Sequence, residues 1–544
     1  MLANIPILSM IAFSPLIGVL VLLFMPKSQG RWIKVIGVAT TLIPLVLAAW
    51  LYVDFNQQSN NLQYGEHYDW INVPLNKDVP NLDQYGFTSY YLKFSYSLAV
   101  DGLSMPMVFL TALIATMAAF ASVYIKKRWK LYYILFLLLE VGMFGVFMSQ
   151  DLFMFFVFFE VTLVPMFFLV GIWGYLNREK AANKFLLYNG LGSAIMLLAF
   201  LILVTTAGFS QVQDQASSSI FFSGNLGDIV TNLFTPDSAV NAGGEGNPFY
   251  LSSTLKWSVF ILLLIAFGIK LPILPFHTWM LKVHTEAPPS VVMIHSGILL
   301  KMGAYGLIRF AILLFPAEAK EWAFVLALLG LINIVYGAIL AFVQNDFKLV
   351  LAYSSISHMG VVLLGIAAFN QTGMEGAVFQ MVSHGLISAL MFLLVGAIYE
   401  RTGTTQLDKL GGLASSVPFM SGILLVAGMA SLGLPGLSGF VGEFLAFLGL
   451  FGSMKVVTVI STLGIILAAV YVLRAVLRIT YGPIDDAYRS IRDARLIEAI
   501  PMITLVAFII LLGVYPAILS QHLQQTVSGF DQFIQQVIST KTGG

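Results

Sequence analysis

The 544-residue chain contains no cysteine, which excludes a disulfide framework, thiolate zinc sites and iron–sulfur clusters held by the chain itself. Charge is scarce too: Asp, Glu, Lys and Arg make up 10% of the residues, against roughly 25% in soluble globular domains. Basic and acidic residues nearly cancel to a formal net charge of +1, so no basic surface recommends a nucleic-acid partner. No dinucleotide-binding fingerprint and no phosphate loop occurs. The opening stretch, MLANIPILSMIAFSPLIGVLVLLFMPKS, lacks a basic region before its apolar run and lacks a small-residue cleavage site, so it reads as a retained first span.

What is present is apolar. Hydrophobic residues make up 58% of the chain, and mean hydropathy is +0.88. Apolar windows recur at a length that crosses about 30 Å of hydrocarbon, which predicts an all-α polytopic membrane protein. About fourteen spans are expected: 5–24, 33–53, 103–124, 131–149, 152–174, 184–207, 255–276, 289–313, 321–343, 349–368, 375–398, 418–450, 455–478 and 498–520. The 418–450 window is too long for one straight helix and contains LPGLSG, so a broken helix fits it better than two spans. Alternate loops collect 19 basic residues, including KKRWK at 126–130 and Arg489, Arg492 and Arg495, against six in the opposite loops and tail. The positive-inside rule puts the first set in the cytoplasm and both termini on the outer side of a bacterial cell membrane. The long polar loops 54–101 and 208–254 then face outward. They read as ordered caps with turns, with disorder the alternative for 208–254.

Within the spans, ionisable residues stand out, since each costs about 2.5–3.5 kcal/mol at a helix centre. Glu160 lies in FFVFFEVTLVPMFF, Glu140 in LFLLLEVGMF and Lys301 in SGILLKMGAYG. His295, His358 and His384 lie in further apolar windows. A lone histidine on an apolar face is more often a satisfied core residue, and a static ion pair is the alternative for Glu160 and Lys301. Lys270 is followed at once by Pro272 and Pro275, and Glu443 follows LPGLSG. Two broken spans, each with a buried charge and five spans apart, predict a repeated unit of about five helices, as in transporters. Gln380, His384 and Ser388 share one helix face at i, i+4 and i+8, and Ser354 pairs with His358 at i, i+4. Such a row suits a hydrated proton path. Glu140 and Glu160 flank the turn at 150–151 by about ten residues each, which puts both about 15 Å deep at 1.5 Å rise per residue. They would share a proton if they faced each other; otherwise Glu140 faces another helix or subunit.

The segments FFVFFEVTLVPMFFLVGIWG, IKLPILPFHTWMLKVHTEAP, GILLKMGAYGLIRF, QNDFKLVLAYSSISHMG, GAVFQMVSHGLISALMFLLVG and GLPGLSGFVGEF resemble the antiporter-like subunits of NADH–quinone oxidoreductase (respiratory complex I) over residues 95–480. The resemblance is nearest to the subunit M branch, because Glu443 stands where the other antiporter-like subunits and the related multisubunit cation/proton antiporters generally carry lysine. It implies fourteen transmembrane helices with two inverted five-helix repeats, each containing a broken helix. The implied division is helices 1–3 with the outer loop (1–124), a first repeat (125–315), a second, inverted repeat (316–480), and a final helix with an outer tail (481–544). It also assigns proton transfer to Glu160, Lys270, Lys301 and Glu443, supported by His358 and His384. Glu140 and His295 have no counterpart in the family pattern.

The expected function is that of a proton-translocating membrane subunit of an oxidoreductase complex. Glu160 would stabilise the charge on Lys270. Loosening that pair would send a proton to Lys301 and on through His358 and His384 to Glu443. This chain would carry no cofactor; flavin, iron–sulfur clusters and quinone would belong to partner subunits, among them further antiporter-like chains. The alternative is a subunit of a cation/proton antiporter without redox coupling.

Overall fold

A computed structural model describes residues 5–75, 89–214, 217–242, 247 and 249–542. Parts of the two long polar loops, at 76–88, 215–216, 243–246 and 248, lie outside the described residues.

The membrane body begins with α1 (Ile7–Phe24), α2 (Gly30–Asp54), α3 (Ser104–Ala121), α4 (Trp129–Met148), α5 (Leu152–Trp173) and α6 (Arg178–Thr206). A short α7 (Leu226–Phe234) lies in the following loop, and α8 (Ser253–Lys270) and α9 (Thr278–Glu286) come next. After them run α10 (Pro289–Ile312), α11 (Ala323–Val343), α12 (Phe347–Ala367) and α13 (Gln371–Thr402). The paired α14 (Pro418–Ser431) and α15 (Ser438–Ser453) precede α16 (Lys455–Thr480) and α17 (Leu496–Val514). Among the described residues thirteen helices are long and apolar enough to cross a membrane, and α14 and α15 are each too short. Taken as one broken crossing, α14 and α15 make the fourteenth. The apolar spans of α10 and α13 are entirely buried within the chain, and that of α12 nearly so, whereas only a third of each apolar span of α2 and α17 is buried. Lys301, His358 and His384 sit on these central helices, whereas Glu160, Lys270 and Glu443 lie on α5, α8 and α15.

Two crossings break where proline and glycine predict it. Pro272 and Pro275 supply no amide donors after Lys270. The free amide of Leu274 donates to Asn333 Oδ1 on α11 at 2.9 Å, and the Trp279 indole donates to the Ile269 carbonyl at 3.0 Å. Irregular backbone at this depth persists because protein groups satisfy it. At the second break, Gly433 and Gly436 take φ of 77° and 92°, the left-handed region open to glycine. The central helix α10 is itself irregular, with wide π turns at His295–Leu299 and Leu307–Ile312. Close approach fixes α12 against α11: a Cβ on Gly360 would lie 2.6 Å from the Gly330 carbonyl oxygen.

The loops on one face depart from an all-helical reading. They fold into a four-stranded sheet, ordered β1 (Gln63–Pro74), β2 (Ser89–Val100), β4 (Ser217–Ser223), β3 (Phe209–Asp214). The β1–β2 and β3–β4 pairs are antiparallel and β2–β4 is parallel, so the two polar loops join in one cap. The tail after α17 is likewise ordered, as a 26-residue helix, α18 (Ala517–Thr542). Gly102 N donates to Thr526 Oγ1 at 2.9 Å, Tyr52 Oη donates to the Ile518 carbonyl at 2.9 Å, and the His522 ring stacks on Tyr52 at 4.0 Å.

Candidate functional site

The buried ionisable residues form a row across α8, α10, α13, α12 and α15. Lys270 ends α8 at the first break and is 2% exposed. Its ammonium has no hydrogen-bond partner among the described residues and lies over the rings of Phe159, at 4.8 Å, and Phe185, at 5.6 Å. Ring faces attract a cation, but they accept no proton. Glu160, on α5, is near enough for its charge to act on Lys270. The contact ion pair expected from the sequence is nevertheless not formed, and Glu160 Oε1 is likewise without a partner. The physical reason is visible in the rings: the lysine side chain extends from the end of a helix cut short by proline and lies along Phe159 and Phe185.

Lys301 lies on the central helix α10 and is wholly buried. Its ammonium donates to the Ser296 carbonyl, within the first wide turn, and meets His384 Nδ1 at 2.7 Å. The His384 and His358 rings are 5.4 Å apart. His358 Nδ1 lies 3.2 Å from Glu443 Oε1 and 3.1 Å from Gln380 Nε2. These two neighbours make opposite demands, since a carboxylate needs a donor at Nδ1 and an amide NH2 needs a lone pair. Gln380 Oε1 is unpartnered, so turning the amide over would let Nδ1–H serve both neighbours. Gly442 permits this assembly: a Cβ there would lie 2.6 Å from Gln380 Oε1. The order is thus Lys301, His384, His358, Glu443, with the two histidines exchanged relative to the sequence expectation. Helix α13 passes the middle of α10 and presents His384 to it, whereas α12 presents His358 to α15.

Beside the histidines is a cavity of about 20 Å³, lined by Ser354, Ser355, Ser388 and Ser431 as well as both rings. That is room for one water with several polar partners. Ser354 Oγ also accepts from Tyr471 at 2.9 Å. Glu140, on α4, stands apart: it is fully buried, both carboxylate oxygens lack a hydrogen-bond partner among the described residues, and no bond joins it to Glu160. His295 bonds His284 at 2.9 Å, a residue not singled out from the sequence.

Three further features escaped sequence reasoning. Arg309 on α10 bonds Asp101 at 2.7 Å, with both side chains buried. Glu498 at the start of α17 accepts from Arg401 at 2.7 Å, Arg495 at 2.7 Å and Tyr124 at 2.8 Å. Asp151 caps α5 by accepting from the Phe153 and Met154 amides, and burial pushes its carboxyl up to about 6. All three lie near span ends, where hydropathy expects charge and raises no flag. Among the described residues no three His, Asp or Glu side chains gather as metal ligands.

The chain has relatives among known proteins. Residues 149–468 match the family model described as NADH:quinone oxidoreductase/Mrp antiporter, TM. The chain is 35% identical over 521 residues to NADH-quinone oxidoreductase subunit M of Rickettsia bellii, covering 94% of this chain and 96% of the relative. It is 38% identical over 555 residues to NAD(P)H-quinone oxidoreductase chain 4 1 of Nostoc sp., covering 100% and 94%. Respiratory complex I from Thermus thermophilus with bound NADH contains a chain that superposes with a TM-score of 0.78 at 26% identity, over 97% of this chain and 99% of that one. A chain of the Mrp complex from Dietzia sp. shares the fold alone, with a TM-score of 0.76 at 20% identity over 98% of this chain and 99% of that chain.

Proposed function

Because the chain belongs to the NADH:quinone oxidoreductase/Mrp antiporter transmembrane family, we propose that it is a proton-translocating membrane subunit of a complex I-type NADH:quinone oxidoreductase. The observation that carries this reading is the row from Lys301 through His384 and His358 to Glu443, with its 2.7 Å and 3.2 Å contacts. Ammonium, imidazole and carboxylate alternate as acid and base, and no two neighbouring cationic sites can hold a proton together cheaply. Two unit charges about 4 Å apart repel by about 4 kcal/mol at an effective dielectric of 20. That exceeds the about 2.3 kcal/mol needed to move one charge across 100 mV. A proton arriving at Lys301 therefore drives one off His384, and the displacement passes to Glu443.

Redox energy enters from outside this chain. Iron–sulfur clusters belong to partner subunits, since the cysteine-free sequence offers no thiolate ligand, and flavin and quinone are assigned to the partners with them. The basic face of the chain lies toward the cytoplasm. Loading Lys270 beside Glu160 and releasing its proton inward is the coupled step. The test is to purify the tagged chain and assay vesicles containing what comes with it. Flavin- and iron–sulfur-bearing subunits should co-purify, and NADH-driven proton uptake should fall at least roughly tenfold in Lys301→Met. A chain that purifies without redox subunits and exchanges sodium for protons would overturn the reading.

A further inference from the structure

The row is interrupted between its two lysines. Lys270 and Lys301 are not bonded to each other: Lys270 faces two rings, and Lys301 is taken up by Ser296 and His384. Between them lie His284, on α9, and His295, which opens the first wide turn of α10. Both are fully buried. His284 Nε2 and His295 Nδ1 are 2.9 Å apart, with ring centroids separated by 5.0 Å. The outer nitrogens, His295 Nε2 and His284 Nδ1, have no partner among the described residues.

The surrounding rings fix which end faces which lysine. Phe185 lies 5.6 Å from the Lys270 ammonium and 6.0 Å from the His295 ring, so Lys270 and His295 flank one phenyl group. At the other end, Phe392 lies 5.0 Å from the His284 ring and also lines the cavity that holds His384. The pair thus spans the interval between the first break and the Lys301–His384 contact. A buried imidazole pair kept only for packing would cost the desolvation of two unpaired polar atoms, about 1–3 kcal/mol each. The wide turn that begins at His295 is also of a kind found frequently at functional sites.

We propose that the His284–His295 pair conducts the proton from Lys270 to Lys301. The inference rests on the proton-carrying reading above and supplies its connecting step. A proton leaves the Lys270 ammonium for His295 Nε2 through a bridging water, because the two atoms share no direct hydrogen bond. The Nδ1 proton of His295 passes along the 2.9 Å contact to His284 Nε2. The Nδ1 proton of His284 leaves for the Lys301 amine, again through a bridging water. One N–H bond forms for each that breaks, one proton is transferred, and no electron moves. Return of both rings to their starting tautomers resets the pair.

Glutamine separates conduction from packing, because an amide can hydrogen-bond on both sides but cannot take a proton at one atom and release it from another. His295→Gln and His284→Gln are each introduced into the whole assembled complex, reconstituted in vesicles. NADH-driven proton uptake and its ratio in D2O to H2O are then measured beside Lys301→Met. Uptake should fall at least roughly tenfold in both glutamine variants while the complex still assembles, and the residual rate should show a larger solvent isotope effect than the parent. Uptake within twofold of the parent in both glutamine variants, with Lys301→Met inactive, overturns the pair and leaves the proton reading standing. Normal uptake in Lys301→Met as well would instead overturn the reading on which the pair rests. Failure of both glutamine variants to assemble would assign the pair to packing and also overturn it.

Discussion

Glu443 ends the row, and its charge should matter more than its bulk. It is 6% exposed and faces His358, with Lys301 and Lys270 further back along the same row. An acid here balances two cations in a weakly polarisable interior; a third cation would not. Glu443→Ala should therefore abolish proton uptake, Glu443→Asp should retain most of it, and Glu443→Lys should impair it. Reconstituted complex supplied with NADH and quinone provides the measurement, and normal uptake in Glu443→Ala would remove the residue from the path. A different balance holds at Asp151, outside the spans, where burial raises the carboxyl to about 6 from an ordinary 3.8. The folded state then binds a proton more tightly than the unfolded state, so Asp151 favours folding below pH 4 and this contribution is lost as pH rises to about 6. Asp151→Asn can accept from the same two amides without the charge. It should raise thermal stability of the detergent-solubilised protein at pH 8, by on the order of 2 kcal/mol, and leave it little changed at pH 4. At this scale the sequence was most legible where hydropathy made a charge conspicuous. Glu160, Lys270, Lys301 and Glu443 are visible in that way. His284 was not, because it follows the first break among polar residues, and its partner is eleven positions away across Pro288 and Pro289.

Among the elements, the two broken crossings hold Lys270 and Glu443, and the first is held by a side chain from a neighbouring helix. The Leu274 amide is held by Asn333 of α11 at 2.9 Å. Asn333→Leu would leave a buried donor without a partner, at a cost of about 1–3 kcal/mol. It should lower the melting temperature of the purified protein and, by loosening the break beside Lys270, reduce proton uptake. Asn333→Asp keeps the acceptor and should preserve the break better than leucine does. Equal melting temperatures for the parent and Asn333→Leu would show that the amide finds another partner. Both breaks were legible from proline and glycine alone, because missing amide donors and left-handed φ are properties of residue type. Asn333 was not, since the sequence does not say which helix approaches. The α18 helix was legible and passed over: Leu519, Leu523, Val527, Phe530 and Ile534 recur at helical spacing, but glutamine-rich intervals keep the segment below membrane hydropathy. The sheet eluded hydropathy for a different reason. Its parallel β2–β4 pair joins loops that are more than a hundred residues apart.

For the whole molecule, orientation decides which way the row runs, and it follows from charge outside the row. The loops on one face hold 19 basic residues against six on the other, and basic loops resist translocation. The fold adds a second, independent asymmetry. The poorly basic face carries the four-stranded sheet and α18, stitched together by Gly102, Tyr52 and His522, while the basic face has short connections and the Glu498 cluster with Arg401 and Arg495. If the basic face is cytoplasmic, the sheet cap faces the side to which protons are delivered. Lys127 and Asn60 mark the two faces, and both are exposed. The cysteine-free background lets each be replaced singly by cysteine and probed on intact cells with a thiol reagent that cannot cross the membrane. Asn60→Cys should be labelled, and Lys127→Cys should be labelled only after the membrane is opened. The reverse pattern would invert the orientation, and Glu443 would then have to take up protons at the face where it is now expected to release them.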